Sequence, residues 1–241
     1  AVNDVVLLRT ASSFEWSVID GYRRLLDNNF VNDPALADLL KVFVDHHAAH
    51  ADAMAKATTA LGGTACSALN QKITSYVIEP LVTRISLSGP DQGEDCKAFA
   101  FALESLAAAT YQSVVPVLTV PALRKAAMSV GSVEAKHAAV LGMLINPSAL
   151  VPGSAEAEPA AADQTTTTTV DAGLPTTAPA RTTTTVQAAS VSNVIHALPS
   201  RFGSLAPIAL TVGPSNENGV RATTNLETPS LNSFLYEDEA C

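Results

Sequence analysis

The sequence predicts an all-α fold: a four-helix bundle with one long crossover, followed by a threonine- and proline-rich linker and a short β-rich tail. Three observations lead to this prediction. Apolar residues recur at helical spacing in four segments before Pro147. Polar residues that suit a buried metal site recur in both halves of that region at nearly equal separations. Beyond Pro147 the composition turns to alanine, proline and threonine.

The four helices have recognisable ends. They are expected over residues 3–26, 34–61, 91–115 and 121–146. Asp33-Pro34 supplies an N-cap and a first-turn proline for the second helix, and a proline also opens the fourth. Paired glycines follow the second helix, where a left-handed residue commonly ends a helix. These signals predict four separate helices.

The connections between the helices are short, long and short. Short loops make consecutive helices antiparallel neighbours. The long connection, residues 63–90, gives the second pair of helices enough chain to cross over and pack beside the first pair. The spacing therefore predicts a crossover bundle rather than a simple up-and-down bundle.

The chain divides into three parts by composition. Residues 1–146 are expected to form the bundle. Residues 147–185 contain uninterrupted threonine runs among alanine and proline, which is typical of an extended, O-glycosylated linker. Residues 186–241 are expected to form the tail.

The tail carries three short segments typical of strands, each bounded by glycine, proline or asparagine. They span residues 205–212, 219–226 and 231–236. Three such strands are marginally stable alone, so we expect them to pack on the bundle or on a neighbouring subunit.

The charge of the chain limits its partners. The formal net charge is −9 at pH 7, and no lysine follows Lys136. Phosphate contacts need a basic face, so nucleic-acid binding is not expected, and a negative field suits metal cations better. No apolar run reaches the roughly 18 residues that a membrane-spanning helix needs, so no transmembrane segment is predicted.

The first residue, the threonine tract and the cysteines bear on the compartment in which the protein works. The start at Ala1 fits either a cleaved signal peptide or an arbitrary start of the sequence, and the threonine tract favours a secreted or cell-surface protein. A disulfide between Cys66 and Cys96 would attach the long connection to the bundle, which suits an oxidising compartment. Cys241 would then be free or pair between chains. Three buried thiols remain the alternative.

Two pairs of polar residues stand one helical turn apart. Glu134 and His137 lie at positions i and i+3 of the fourth predicted helix, and His47 and His50 occupy the same spacing on the second. Residues at this spacing share one helix face. We therefore expect both pairs to point into the bundle.

A lone glutamate precedes each pair. Glu15 lies 35 residues before the last histidine of the first pair, and Glu104 lies 33 residues before the last histidine of the second. A tyrosine follows each glutamate by seven residues, at Tyr22 and Tyr111. The duplication predicts one glutamate from each of two helices and one residue pair from each of the other two, which is how helix bundles build two-metal sites. The tyrosines are candidates for hydrogen-bonding those glutamates or for packing the core.

The expected ligand set mixes carboxylates with imidazoles, which suits iron, manganese or zinc. Its members are Glu15, His47, His50, Glu104, Glu134 and His137. His47 stands where a second bridging carboxylate would be expected, so three outcomes stay open: an altered dinuclear site, a single metal, or an empty polar core. His46 and His50, four residues apart, are an alternative pair for one metal, although His46 is expected at the bundle edge or in solvent.

Several motifs together resemble one known family. They are Phe14-Glu15 with Tyr22, the run Asp45-His-His-Ala-Ala-His-Ala-Asp52 followed by Leu61-Gly-Gly63, Leu103-Glu104 with Tyr111, and Glu134-Ala-Lys-His137. In these motifs residues 1–146 resemble the ferritin-like superfamily, and specifically the secreted bacterial ferritin-like domains related to desiccation-associated proteins. The resemblance implies dinuclear iron or manganese with ferroxidase, peroxidase or catalase-like chemistry, and it implies the same six ligands.

Two functions are therefore expected from the sequence. The first is an exported metal-binding protein that oxidises Fe(II) or disposes of peroxide. The second is an extracellular structural subunit, a filament or surface assembly, in which the tail adds strands to a neighbouring chain and the metal site is inactive. Metal ions are the expected ligands, and self-association through the tail is the expected protein contact.

Overall fold

The computed structural model describes residues 3–147 and 208–226. Helices and strands in these ranges are α1 (Asp4–Asp27), α2 (Pro34–Ala60), α3 (Gln71–Ile73), α4 (Glu79–Ser86), α5 (Gln92–Val114), α6 (Pro121–Ile145), β1 (Ile208–Ser215) and β2 (Arg221–Leu226). A π-helical turn joins α3 to α4, and a 3-10 turn precedes α5. The described part of the chain is thus helix-rich with one small antiparallel sheet, which agrees with the all-α class predicted.

The four long helices form two antiparallel pairs. α1 packs along α2, with Ser12 hydrogen-bonded to the carbonyl of Ala51. α5 packs along α6, with Tyr111 against Gly131 and Phe101 against Gly142. In each pair the residue number rises on one helix as it falls on the other, which defines antiparallel packing. The pairs meet through contacts of α1 with α5 and of α2 with α6.

Side chains cap the helices at the predicted starts. Asp33 accepts a hydrogen bond from the Ala35 amide at 2.9 Å at the start of α2, and a proline occupies its first turn. Asp4 accepts from the Thr119 amide at 2.9 Å and from the Val120 amide at 3.2 Å, immediately before α6. Burial alone would raise the pKa of Asp4, but these donors lower it. The beginning of α1 is therefore tied to the beginning of α6.

The long connection contains a crossover helix that the sequence analysis treated only as a link. α3, the π-helical turn (Thr74–Ile78) and α4 follow one another without a break. Pro80 lies in the first turn of α4 and has no amide hydrogen to donate to the preceding turn, which explains the wider turn before it. Ile78 and Ile85 are fully buried in the core of the bundle. The crossover thus packs against α1 and α5 rather than passing through solvent.

The two described strands form a hairpin that packs on α4 and α5. Leu210, Val212 and Leu226 belong to the same buried core as those helices. The register runs from Ile208 opposite Leu226 and shifts after Thr211. The predicted strand at 231–236 and the linker beyond residue 147 lie outside the described residues.

A buried ion pair and several hydrogen bonds hold the hairpin in place. The Asp95 carboxylate, buried on α5, accepts hydrogen bonds from the Gly213 amide at 2.8 Å, from the Ser88 hydroxyl and from the Arg221 guanidinium. Arg84 of α4 donates to the Val212 carbonyl at 2.5 Å and to the Thr224 hydroxyl at 2.6 Å. A two-stranded hairpin is marginal alone, so these contacts and its apolar face account for its order.

The predicted disulfide between Cys66 and Cys96 is wrong. Cys96 is a free, buried thiol whose sulfur lies 3.5 Å from the carbonyl of Phe30, and burial raises its pKa to about 12. Cys66 is disulfide-bonded, but not to Cys96. Its carbonyl oxygen lies 3.0 Å from the hydroxyl of Ser12, in the middle of α1. Cys241 lies outside the described residues.

Among the residues that the structure describes, no helix combines the length and the apolar character that crossing a bilayer requires.

Candidate metal centre

Six side chains from the four long helices meet at the centre of the bundle. α1 contributes Glu15, α5 contributes Glu104, and α2 and α6 each contribute a pair, which together place the residues Glu15, His47, His50, Glu104, Glu134 and His137 in one cluster. All but His50 are buried to 5% exposure or less, and the His50 side chain is 13% exposed. The structure thus brings together every ligand position that the sequence predicted.

One group of four could hold a cation between α1, α2 and α6. It consists of Glu15, His47, His50 and Glu134, whose ligand atoms all lie within 4.8 Å of one another. His50 Nδ1 lies 2.7 Å from Glu134 Oε1 and 4.0 Å from Glu15 Oε2. His47 Nδ1 lies 2.6 Å from the same Glu15 oxygen. Two carboxylates and two imidazoles therefore face one another in this group.

A second group lies beside the first, toward α5. It consists of His47, Glu104, Glu134 and His137, again with ligand atoms within 4.8 Å of one another. His137 Nδ1 lies 3.0 Å from Glu134 Oε2 and 3.3 Å from Glu104 Oε2. His47 Nε2 lies 3.0 Å from Glu104 Oε1. The two groups share His47 and Glu134, so the cluster is one continuous site with two candidate positions.

The donor set fits a metal by one direct observation. Glu134 Oε2 is buried and accepts no hydrogen bond from the residues that the structure describes. His137 Nδ1 is near this oxygen, but its hydrogen bond is made to Glu104 instead. A buried carboxylate oxygen that accepts no hydrogen bond is costly, on the order of 1–3 kcal/mol. A divalent cation bound at this oxygen would remove that cost.

The two tyrosines hold the two lone glutamates in a crossed pattern. Tyr22 on α1 donates its hydroxyl to Glu104 Oε1 of α5 at 2.5 Å, and Tyr111 on α5 donates to Glu15 Oε1 of α1. All four residues are buried. Burial and the adjacent carboxylates raise the pKa of both tyrosines well above the usual value, so both hydroxyls stay protonated donors. Glu15 therefore keeps its Oε2 for the cluster, whereas Glu104 Oε1 faces both Tyr22 and His47.

His46 is a further contributor whose role the sequence analysis missed. It is exposed, as expected, but its Nδ1 lies 2.9 Å from His137 Nε2, and the two rings stack at 5.1 Å. Phe43 also stacks on His137, with ring centroids 3.9 Å apart. These contacts fix the His137 ring with Nδ1 toward the cluster. The signal available in the sequence was the pair of adjacent histidines, because His46 had to lie beside the inward-facing His47.

Close packing of α5 on α6 places the second pair. A Cβ atom at Gly131 would come within 2.8 Å of Tyr111 Cβ, so only glycine permits this approach. Gly131 lies one turn before Glu134 on α6. Ala107 and Ala108 of α5 are also fully buried. Small residues thus bring Glu134 and its partners close enough to meet the carboxylates of the other helices.

Without a metal, protons supply the positive charge of the cluster. Burial alone would lower the pKa of His47, but Glu104 and Glu15 raise it well above its usual value. His137 shows the same opposition, and its pKa rises to about 9 because Glu104 and Glu134 face it. Burial raises the pKa of Glu15. Burial would do the same at Glu134, but the adjacent histidines outweigh it and lower that pKa. The buried carboxylates therefore share protons with the imidazoles, which a cation would displace.

Comparison with known proteins gives one match. The family described as "Ferritin-like domain" matches residues 3–147, which includes all four long helices, the crossover helix and every member of the cluster. Searches among curated proteins and among solved structures gave no match. The β1–β2 hairpin lies outside the matched region.

Proposed function

The chain belongs to the ferritin-like domain family, and from this membership we propose that its buried cluster holds iron or manganese, with zinc as the third candidate, in a protein that works outside the cytoplasm. We propose that the bound metal serves to oxidise Fe(II) or to dispose of peroxide. The specific relatives would be the secreted, desiccation-related members of the family.

The observation that carries the proposal is the buried oxygen Oε2 of Glu134, which accepts no hydrogen bond although it lies where both ligand groups meet. A cluster kept only for stability would be expected to satisfy each of its buried polar atoms internally. Here Glu134 Oε2 accepts no hydrogen bond, although His137 Nδ1 lies 3.0 Å from it. A cation is the partner that this arrangement lacks.

The residues would divide the work by position. Glu134 would bridge the two positions, because its two oxygens face different groups. Glu15 and Glu104 would each bind at one end and stay oriented by the tyrosine hydroxyls. Iron or manganese would supply the redox chemistry when bound. Solvent would reach the cluster at His50, the most exposed of the six.

Two observations support a location outside the cytoplasm. Cys66 is disulfide-bonded, and disulfides persist mainly in oxidising compartments. The threonine-rich stretch after Pro147 is typical of extracellular, glycosylated spacers. We propose export on these grounds. Fractionation of the native host would test it, and recovery of the protein from the cytoplasm alone would contradict it.

Elemental analysis of the natively purified protein tests the metal proposal. We expect one to two equivalents of iron or manganese per chain. Glu134→Ala should lose this metal, because it removes the ligand shared by both groups. The matched control is Glu94→Ala, since the Glu94 side chain is 68% exposed on α5 and outside the cluster. A metal-free wild type that also takes up no Fe(II) or Mn(II) on reconstitution would contradict the proposal. Equal metal content in both variants would do the same.

A further inference from the structure

The ring of His47 spans both candidate positions. Its Nδ1 lies 2.6 Å from Glu15 Oε2 and 3.6 Å from Glu134 Oε1, which are atoms of the first group. Its Nε2 lies 3.0 Å from Glu104 Oε1, an atom of the second group. The ring is fully buried, so neither nitrogen can turn to solvent. Each nitrogen therefore faces one position.

Glu134 divides its two oxygens in the same way. Its Oε1 lies 2.7 Å from His50 Nδ1, in the first group, and its Oε2 lies 3.0 Å from His137 Nδ1, in the second. Two residues, one on α2 and one on α6, thus connect the two positions. The lone glutamates and the outer histidines belong to one position each.

If both positions hold a divalent cation, the charge balance of the cluster determines the protonation state of His47. Two divalent cations carry four positive charges, and the three glutamates supply three negative ones. An uncompensated charge is expensive in a buried site. An imidazole that binds a cation through each nitrogen has released both ring protons and carries one negative charge. The cluster with both positions filled is then neutral.

We propose that His47 bridges two divalent cations through Nδ1 and Nε2 as an imidazolate, in place of the second carboxylate bridge. This inference rests on the proposed metal function. Each position would then have one lone glutamate, one outer histidine, one oxygen of Glu134 and one nitrogen of His47. One ring proton leaves to solvent as each cation binds, the second departure giving the imidazolate.

A single-metal site would use the same residues differently. His47 would bind one cation through one nitrogen and donate a hydrogen bond from the other to a glutamate, as metal-bound histidines commonly do. The two arrangements differ in the number of cations and in whether those cations interact magnetically. Both differences are measurable without any catalytic assay.

The experiment is a titration of the metal-free full-length chain with Cu(II), followed by electron paramagnetic resonance. Cu(II) binds nitrogen and oxygen sites strongly and has one unpaired electron. We expect the signal to grow with the first equivalent and to fall with the second, because two copper ions joined by one imidazolate couple their spins. A signal that doubles, or binding in the cluster that stops at one equivalent, would overturn the bridge.

Variants separate failure of the bridge from failure of the metal proposal. If Glu134→Ala leaves the copper spectrum unchanged, the cluster does not bind the metal, and both proposals fail. If that variant changes the spectrum but the wild-type ions are uncoupled, only the bridge fails. His47→Asn, which has one donor group, should bind a single ion in the cluster. Glu94→Ala, at a carboxylate that is 68% exposed on α5 and outside the cluster, should leave the titration unchanged.

Discussion

Removal of one hydroxyl from Tyr111 should destabilise the metal-free protein measurably. Tyr111→Phe deletes the donor to Glu15 Oε1 and changes nothing else in the shape of the side chain. Both residues are buried, so water cannot replace the lost hydrogen bond. The same reasoning applies to Tyr22→Phe, which deletes the donor to Glu104.

The magnitude follows from the kind of hydrogen bond. A hydrogen bond to a charged group contributes about 1.5–3 kcal/mol, and an unsatisfied buried acceptor costs a similar amount. We expect each substitution to lower the free energy of unfolding by about 2 kcal/mol. For a chain of this size that corresponds to a fall in Tm of about 4–8 °C.

The assay is equilibrium urea unfolding of the metal-free protein, with Tyr76→Phe as the matched control. Tyr76 is 79% exposed, so the same chemical change should alter stability by less than about 0.5 kcal/mol. Because the pKa values of both tyrosines are raised in the folded state, their contribution to stability is present below pH 10 and is lost as the pH rises further. Above pH 10 the wild type should therefore lose more stability than a variant that carries both Tyr22→Phe and Tyr111→Phe. Equal stability of Tyr111→Phe and wild type would refute the crossed tyrosine–glutamate pairing.

Three further predictions concern the pH response, the hairpin and assembly. The metal-free protein should lose stability as the pH rises from 6.5 through about 9, because the folded pKa of His137 is raised. The affinity for Zn²⁺ should rise over the same interval. Urea midpoints and zinc affinities that moved in the same direction would contradict this prediction. Arg221→Ala should leave the buried Asp95 without its ion-pair partner and weaken docking of the hairpin by about 3 kcal/mol. Amide exchange in β1 and β2 should become faster, and the metal content should not change. Exchange at the wild-type rate would argue against the ion pair. If the chain is a structural subunit, truncation after Pro147 should abolish large assemblies in size-exclusion chromatography, and unchanged assembly would reject that role.

The sequence predicts the bundle well because its helix signals are local. The observed starts of α2 and α6, at Pro34 and Pro121, are the predicted ones, since proline in the first turn is a strong marker and Asp33 also caps α2. The spacing of the pairs at 47 and 134 predicts which face turns inward, because residues at i and i+3 share a face. Both signals depend on residues only a few positions apart.

The parts that the sequence missed depend on contacts between distant residues. The crossover helix buries Ile73, Ile78 and Ile85, but Pro80 stands within this segment and is typical of a connection. The state of Cys96 is set by the carbonyl of Phe30, which packing places against it. The contact of His46 with the second ligand pair likewise joins α2 to α6 across the bundle. None of these contacts follows from local spacing.

The most direct test of a metal centre in this bundle is anomalous X-ray scattering from crystals of the natively purified protein, measured at the iron and manganese absorption edges. The account predicts anomalous density next to Glu134, within reach of His50 on one side and His137 on the other. Crystals of metal-loaded protein whose anomalous density lies only at the surface, with none between the four helices, would contradict it.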